Sequence, residues 1–208
     1  PDGSEVAFVR GDSLLAMPAA GGAVRTIGTG TDLHSCSWAG TGRWIVCVSQ
    51  NSISVLPGPL YGNLAPSGIV LFPASGGESI RIAEPTVYNQ SPVFSGDGKR
   101  LFYLSSRDGP KDIYVVSLSS SGAPRGTPLR LTTGLNAKTI SITSDEKRLA
   151  YTVYSARANI WSVPIPANPP PGGIAITATN ASALTRGTQV IQGMRVGPDR
   201  RWIVFDSD

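Results

Sequence analysis

Apolar residues in this chain come in short alternating runs separated by tight turns, and one such arrangement recurs five times. The turns and the runs that follow them are PDGSEVAFV at Pro1, GTGRWIVCV at Gly40, GDGKRLFYL at Gly96, SDEKRLAYT at Ser144 and PDRRWIVFD at Pro198. Taking the second residue of each as a marker, Asp2, Thr41, Asp97, Asp145 and Asp199 stand 39, 56, 48 and 54 residues apart, a blade-length repeat of about 49. Upstream of the marker, apolar side chains fall three and five positions back: Trp38 and Cys36, Phe94 and Pro92, Ile142 and Ile140, Val196 and Met194. That period of two predicts a strand. Downstream, Val6 to Val9, Ile45 to Val48, Leu101 to Leu104 and Ile203 to Phe205 are continuously apolar, which predicts a strand covered on both faces. Six positions past the marker stand Phe8, Cys47, Tyr103, Tyr151 and Phe205, an expected aromatic layer in which Cys47 is the one replacement and so a core residue.

A third strand is expected over Ser13 to Met17, Gly68 to Phe72, Asp112 to Leu118 and Asn159 to Val163, where β-branched and aromatic residues dominate. A fourth follows a Gly- or Pro-bearing turn at Ala23 to Ile27, Glu78 to Ala83, Thr127 to Thr132 and Ser182 to Arg186. Four antiparallel strands per repeat predict an all-β protein, a β-propeller of four-stranded blades with four to five blades present. The units run over about residues 1–31, 32–86, 87–134, 135–189 and a partial 190–208 of a single domain.

Composition agrees with many turns: the 208 residues include Gly 24 and Pro 17, with 40% hydrophobic and 15% charged residues. The net charge of +4 is too thinly spread for the basic stripe of a nucleic-acid binder. No apolar stretch is long enough to span a bilayer and no signal peptide is visible, so targeting or membrane attachment is expected only through segments outside this chain. One histidine and two cysteines cannot supply a zinc set, and neither metal nor cofactor is expected. The two cysteines have two readings: small buried hydrophobes, or a bridge between neighbouring strands. A turn centred on Thr41 and Gly42 sets a register that places Cys36 opposite Cys47, where a bridge fits.

The third unit, SPVFSGDGKRLFYLSSRDGPKDIYVVSL followed by PLRLTTG, resembles the TolB-like propeller repeat, with its W-S-P-D-G turn, K/R-x-I/L-A-F strand, S-x-R-D-G segment and I-Y-V-V/M strand. The second and fourth units depart from it. Thr41 and Gly42 replace the Asp-Gly pair, Glu146 replaces Gly, and SARAN replaces S-x-R-D-G. The resemblance implies a bacterial, extracytoplasmic protein-binding platform, usually six-bladed; similar arrays form the sensor regions of bacterial membrane Ser/Thr kinases and the non-catalytic domain of prolyl oligopeptidase-like enzymes. Against a six-bladed ring the chain reads as a fragment, short by roughly 80 to 100 residues.

Binding is expected where the first strand of each blade begins. Seven positions before the marker stand His34, Gln90, Lys138 and Gln192, all polar with donor capacity, and the next position holds Ser35, Ser91, Thr139 and Gly193. This polar, sterically open set, flanked by Asn89 and Asn136, is the expected partner-binding surface, competing with simple solvation of a wet channel mouth. The doublets Lys99-Arg100, Lys147-Arg148 and Arg200-Arg201 each lie beside acidic residues and read as solvated turns. Two insertions, 56–67 and 164–182, are stiffened by proline, and the first reads as a loop folded over its own blade, competing with an exposed recognition edge at Tyr61 and Leu64. There is no GxSxG elbow, HExxH, P-loop or GxGxxG before a helix, so the chain by itself is expected to be non-enzymatic. The expected partner is a protein or peptide.

Overall fold

The computed structural model describes residues 2–52, 65–143, 145–153, 157–165, 167–168, 172, 180–191, 193–199 and 201–207. No α-helix occurs among them. The chain divides into two compact units, Pro1–Val153 and Tyr154–Asp208.

In the first unit every sheet is an antiparallel meander. Strands β1 (Glu5–Arg10), β2 (Ser13–Pro18) and β3 (Arg25–Thr29) form a three-stranded sheet. Strands β4 (Leu33–Trp38), β5 (Trp44–Ser49), β6 (Gly68–Pro73) and β7 (Ile80–Ala83) form a four-stranded one, as do β8 (Asn89–Phe94), β9 (Arg100–Ser105), β10 (Asp112–Leu118) and β11 (Pro124–Arg130). Strands β12 (Ala137–Ile142) and β13 (Leu149–Val153) pair alone. The recurring turn has a recurring cause. The Asp97 carboxylate accepts from the Ser95 hydroxyl at 2.7 Å and the Lys99 N–H at 2.9 Å, while Gly98 takes a φ of 70° that a side chain resists. Asp145 repeats the arrangement with Thr143 and Lys147, and Asp2 holds the Ser4 N–H and hydroxyl. Glu146, standing where that glycine is expected, adopts the same left-handed conformation at φ 56° and bonds Arg100 of the preceding sheet.

Alternation along β5 and β9 sends successive side chains into different cores, so those two apolar runs are buried on both faces; the runs from Val6 to Val9 and from Ile203 to Phe205 are not, with Val6, Val204 and Phe205 exposed. On β5, Ile45 and Cys47 pack with Leu14, Ile27 and Phe72 toward the first sheet, whereas Val46 joins Leu71, Tyr103 and Tyr114 on the other side. On β9, Leu101 and Tyr103 face the second sheet, and Phe102 and Leu104 pack with Ala137 and Ile140 of β12. Sheet-to-sheet contact is close: a Cβ on Gly28 of β3 would lie 2.6 Å from the Phe72 ring, so glycine is required there. The expected aromatic layer holds only in part. Tyr103 and Cys47 are fully buried, but Tyr151 on β13 and Phe205 stay exposed at 49% and 40%, because each belongs to a two-stranded sheet.

Tyr103 carries a buried hydroxyl that finds no hydrogen-bond partner among the described residues, and burial pushes its pKa up. Removing an unsatisfied polar atom while keeping the ring costs nothing in packing. Tyr103→Phe is therefore expected to leave stability unchanged or to raise it by about 1 kcal/mol in a denaturant titration; a clear loss would show that the hydroxyl has a partner.

The start of β10 is locked by a buried carboxylate. Asp112, fully shielded from solvent, accepts from the Thr132 hydroxyl at 2.8 Å, the Leu135 N–H at 2.9 Å, the Gly134 N–H at 3.0 Å and the Arg130 guanidinium at 2.5 Å. The Thr132 hydroxyl also accepts the Ile113 N–H at 3.0 Å.

The second unit contains two pairs, β14 (Trp161–Ser162) with β15 (Ser182–Ala183) and β16 (Met194–Val196) with β17 (Ile203–Phe205). The first pair is shorter than the expected Asn159 to Val163 and Ser182 to Arg186. Even so it keeps the lock in a neutral version. Thr185 donates to Asn159 Oδ1 at 3.1 Å and accepts the Ile160 N–H at 2.9 Å, matching Thr132, Asp112 and Ile113. The segments LTTG at 131–134 and LTRG at 184–187 are the sequence trace of this shared device.

Candidate functional site

The first strands β4, β8 and β12 each pair with one neighbouring strand only, which leaves one edge of each without a strand partner among the described residues. All three are bulged near the start. Register shifts fall between His34 and Ser37, between Gln90 and Val93, and between Ala137 and Thr139. Ser35 and Ser91 sit at φ 48° and 51°, the left-handed region that such bulges use to re-aim side chains. The Ser91 hydroxyl thereby reaches the next sheet, accepting the Ile140 N–H at 2.9 Å.

Between these strands lies a cleft of about 320 Å³. Of the residues singled out from the sequence, Gln90 and Lys138 line it, together with Ser35, Ser91 and Thr139 from the adjoining position. The repeat alignment thus brought side chains from three units to one place. The others fall elsewhere. His34 is turned away: its Nε2 donates to the Gln50 carbonyl at 2.9 Å, so in the neutral ring Nδ1 accepts from the Ser35 hydroxyl at 3.0 Å. Asn89 is a correction. It is 1% exposed, and its amide donates to the carbonyls of Ser67, Glu84 and Val87, fixing the loop before β8. A polar side chain at a strand start can satisfy buried backbone as readily as meet a ligand, and here the buried backbone won. Asn136 is exposed at φ 48° ahead of β12 and does not line the cleft. Gln192 lies outside the described residues, as do Tyr61, Leu64 and Arg200.

The sequence reading missed the apolar wall. Cys36, Tyr88, Pro92 and Val93 also line the cleft. Cys36 and Pro92 were visible as the apolar strand position five before the marker, but Cys36, for which burial was one of two readings, is exposed and bonded to the buried Cys47. The bridge is thus the correct one of the two cysteine readings. Beyond the Ser35 bulge the register pairs Ser37 with Val46, which sets Cys36 opposite Cys47 with Cα atoms 4.1 Å apart.

Electrostatically the cleft is one-signed. Lys138 is the only lysine, arginine or carboxylate that lines it among the described residues, and Lys111 lies beside the wall with its ammonium 5.6 Å from the Tyr88 ring centre. Burial lowers the Lys111 pKa, and the Lys138 charge lowers it further. Basic groups on the turns are answered locally, Lys99 by Asp97 at 3.9 Å and Arg100 by Glu146. Among the described residues no group of three His, Cys, Asp or Glu side chains is placed to hold a metal ion.

No protein-family model and no curated protein matches this chain. Solved structures do. A TolB-type protein from Agrobacterium tumefaciens superposes with a TM-score of 0.58 at 17% identity, covering 78% of this chain and 55% of that one. TolB from Acinetobacter baumannii gives 0.55 at 16% identity over 89% and 41%, and a puromycin-hydrolyzing peptidase from Mycobacterium tuberculosis gives 0.52 at 19% identity over 73% and 25%. These likenesses show the fold: it is a β-propeller fold similar to that of the TolB proteins. The chain spans about half the length of the TolB proteins it matches.

Proposed function

We propose that the chain is a non-catalytic binding propeller that captures an extended protein or peptide segment at the cleft between β4, β8 and β12. The observation that carries this is the coincidence of three bulged strands, each with one edge lacking a strand partner among the described residues, around one cleft of mixed polar and apolar lining. An open edge offers hydrogen bonds to any extended backbone, and pockets beside it select side chains. The TolB likeness favours an extracytoplasmic setting, either as a periplasmic factor or as the sensor part of a larger receptor. A second reading, the gating propeller of a prolyl oligopeptidase-like hydrolase, draws on the likeness to the puromycin-hydrolyzing peptidase. In either case the chain alone is expected to give a blank broad hydrolase screen, and turnover that tracks the purified chain would refute it.

The test of binding uses an exposed lining residue. Thr139→Arg fills the cleft while replacing an exposed side chain of β12 whose hydroxyl pairs with that of Thr152 at 2.7 Å, so stability should fall by no more than about 1 kcal/mol. Peptides selected on the unmodified chain from a displayed random library are expected to lose at least roughly tenfold in affinity for the variant. Unchanged affinity would place binding elsewhere.

A further inference from the structure

The binding reading leaves the chemistry of the captured segment open, and the charges around the cleft narrow it. Lys138 enters the cleft from β12, and no carboxylate lines it among the described residues. Lys111 is held over the ring of Tyr88, itself a lining residue, close enough that the Lys138 charge acts on it. Two like charges share this corner, and an anion placed at Lys138 is attracted by both. Hydroxyls of Ser35, Ser37 and Thr139 supply further hydrogen-bonding groups around the same opening.

Size and backbone geometry decide between occupants. A cleft of about 320 Å³ is at the small end of ligand pockets and suits one side chain with the backbone beside it. A strand running along an open edge turns alternate side chains to one side, so it delivers such single groups. Phosphate sites ordinarily gather forked arginines or a run of backbone N–H groups, and no arginine lines the cleft among the described residues.

We infer that the cleft selects an acidic residue of an extended peptide, receiving its carboxylate at the Lys138 ammonium with Lys111 reinforcing the attraction from over the Tyr88 ring. This rests on the binding reading and adds the identity of the anchoring group. The apolar remainder of the wall, Pro92, Val93 and the Cys36 side of the disulfide, takes the methylene stem of that residue.

The 208-residue chain titrated with Ac-Ala-Glu-Ala-NH2 and Ac-Ala-Gln-Ala-NH2, followed by backbone amide shifts, tests it. The Glu peptide is expected to bind roughly fivefold more tightly, with the advantage shrinking as salt is raised. Lys138→Met is expected to bring the affinities for the two peptides together, and Lys138→Arg to keep them apart. Equal affinities for the two peptides, or a preference that survives Lys138→Met, would overturn the acidic-anchor inference while leaving peptide capture standing. Failure of both peptides to perturb Ser35, Gln90 and Thr139 would overturn the inference together with the binding reading.

Discussion

Asp112→Ala is expected to lower the unfolding free energy by about 3 kcal/mol, the largest single-residue effect outside the apolar core. The carboxylate is fully buried and collects four donors, so its removal strands the Arg130 guanidinium, the Thr132 hydroxyl and the N–H groups of Gly134 and Leu135 together. Arg130 is partly exposed and recovers some hydration, which keeps the loss near the lower end for a broken buried pair. The same network predicts a pH dependence. Burial by itself would raise the Asp112 pKa, but the Leu135 N–H, Arg130, Thr132 and the Gly134 N–H overcome it and hold the group at about 2. A carboxyl depressed in the folded state contributes stability above its unfolded value of 3.8, and that contribution fades as the pH falls toward about 2. It amounts to about 2 kcal/mol. Asp112→Asn should be milder, since Asn159 performs the equivalent task in the second unit with its amide oxygen. Denaturant titrations at about pH 7 and between about pH 5 and pH 2 check both expectations. If Asp112→Ala costs under about 0.5 kcal/mol, or if its acid sensitivity matches that of the unmodified chain, the lock is not what holds β10 to β11.

The second large effect concerns the bridge between β4 and β5. Cys36 and Cys47 are 11 residues apart, and closing a loop of that length restricts the unfolded chain by about 3 kcal/mol in the chain-entropy treatment. The double substitution Cys36→Ser with Cys47→Ala should therefore lower stability by about that amount. Cys47 is buried among Ile45, Val70 and Phe72, so part of the measured loss will be packing; Cys36→Ser with Cys47→Val, which refills that volume, separates the two. Unfolding the non-reduced protein in an alkylating reagent should leave its mass unchanged. Two added alkyl groups would show free thiols and remove this prediction.

Why some of this was legible in sequence and some was not follows from the range of the forces involved. The turn markers report local chemistry, an Asp accepting from residues two before and two after it, so Asp97 and Asp145 announce their hairpins without tertiary help. The doubly buried strands β5, β6, β9 and β10 are equally plain, because a run such as WIVCV has no face left for water. The cleft was half visible. Aligning the repeats found Gln90 and Lys138 because side chains at equivalent positions of neighbouring sheets converge. The same alignment misplaced Asn89, whose fate depends on the loop from Glu84 to Val87, and it turned His34 into a candidate although Gln50 holds its ring. Neither contact is periodic, so no repeat can reveal it. The bulges at Ser35 and Ser91 were also silent, since serine is an unremarkable strand residue until its φ is known. They matter because a bulge re-aims the side chains beside it, whereas the pairing of Cys36 with Cys47 follows from the register that runs back from the Thr41-Gly42 turn.

The central claim is that extended peptides dock where β4, β8 and β12 come together, and mapping amide shifts of the labelled chain against a library-selected peptide tests it most directly. The account predicts that the largest shifts cluster at Ser35 to Ser37, Gln90 to Val93, and Lys138 and Thr139. Shifts concentrated instead on the turns at Thr41, Gly98 and Asp145, with those three strands silent, would contradict it.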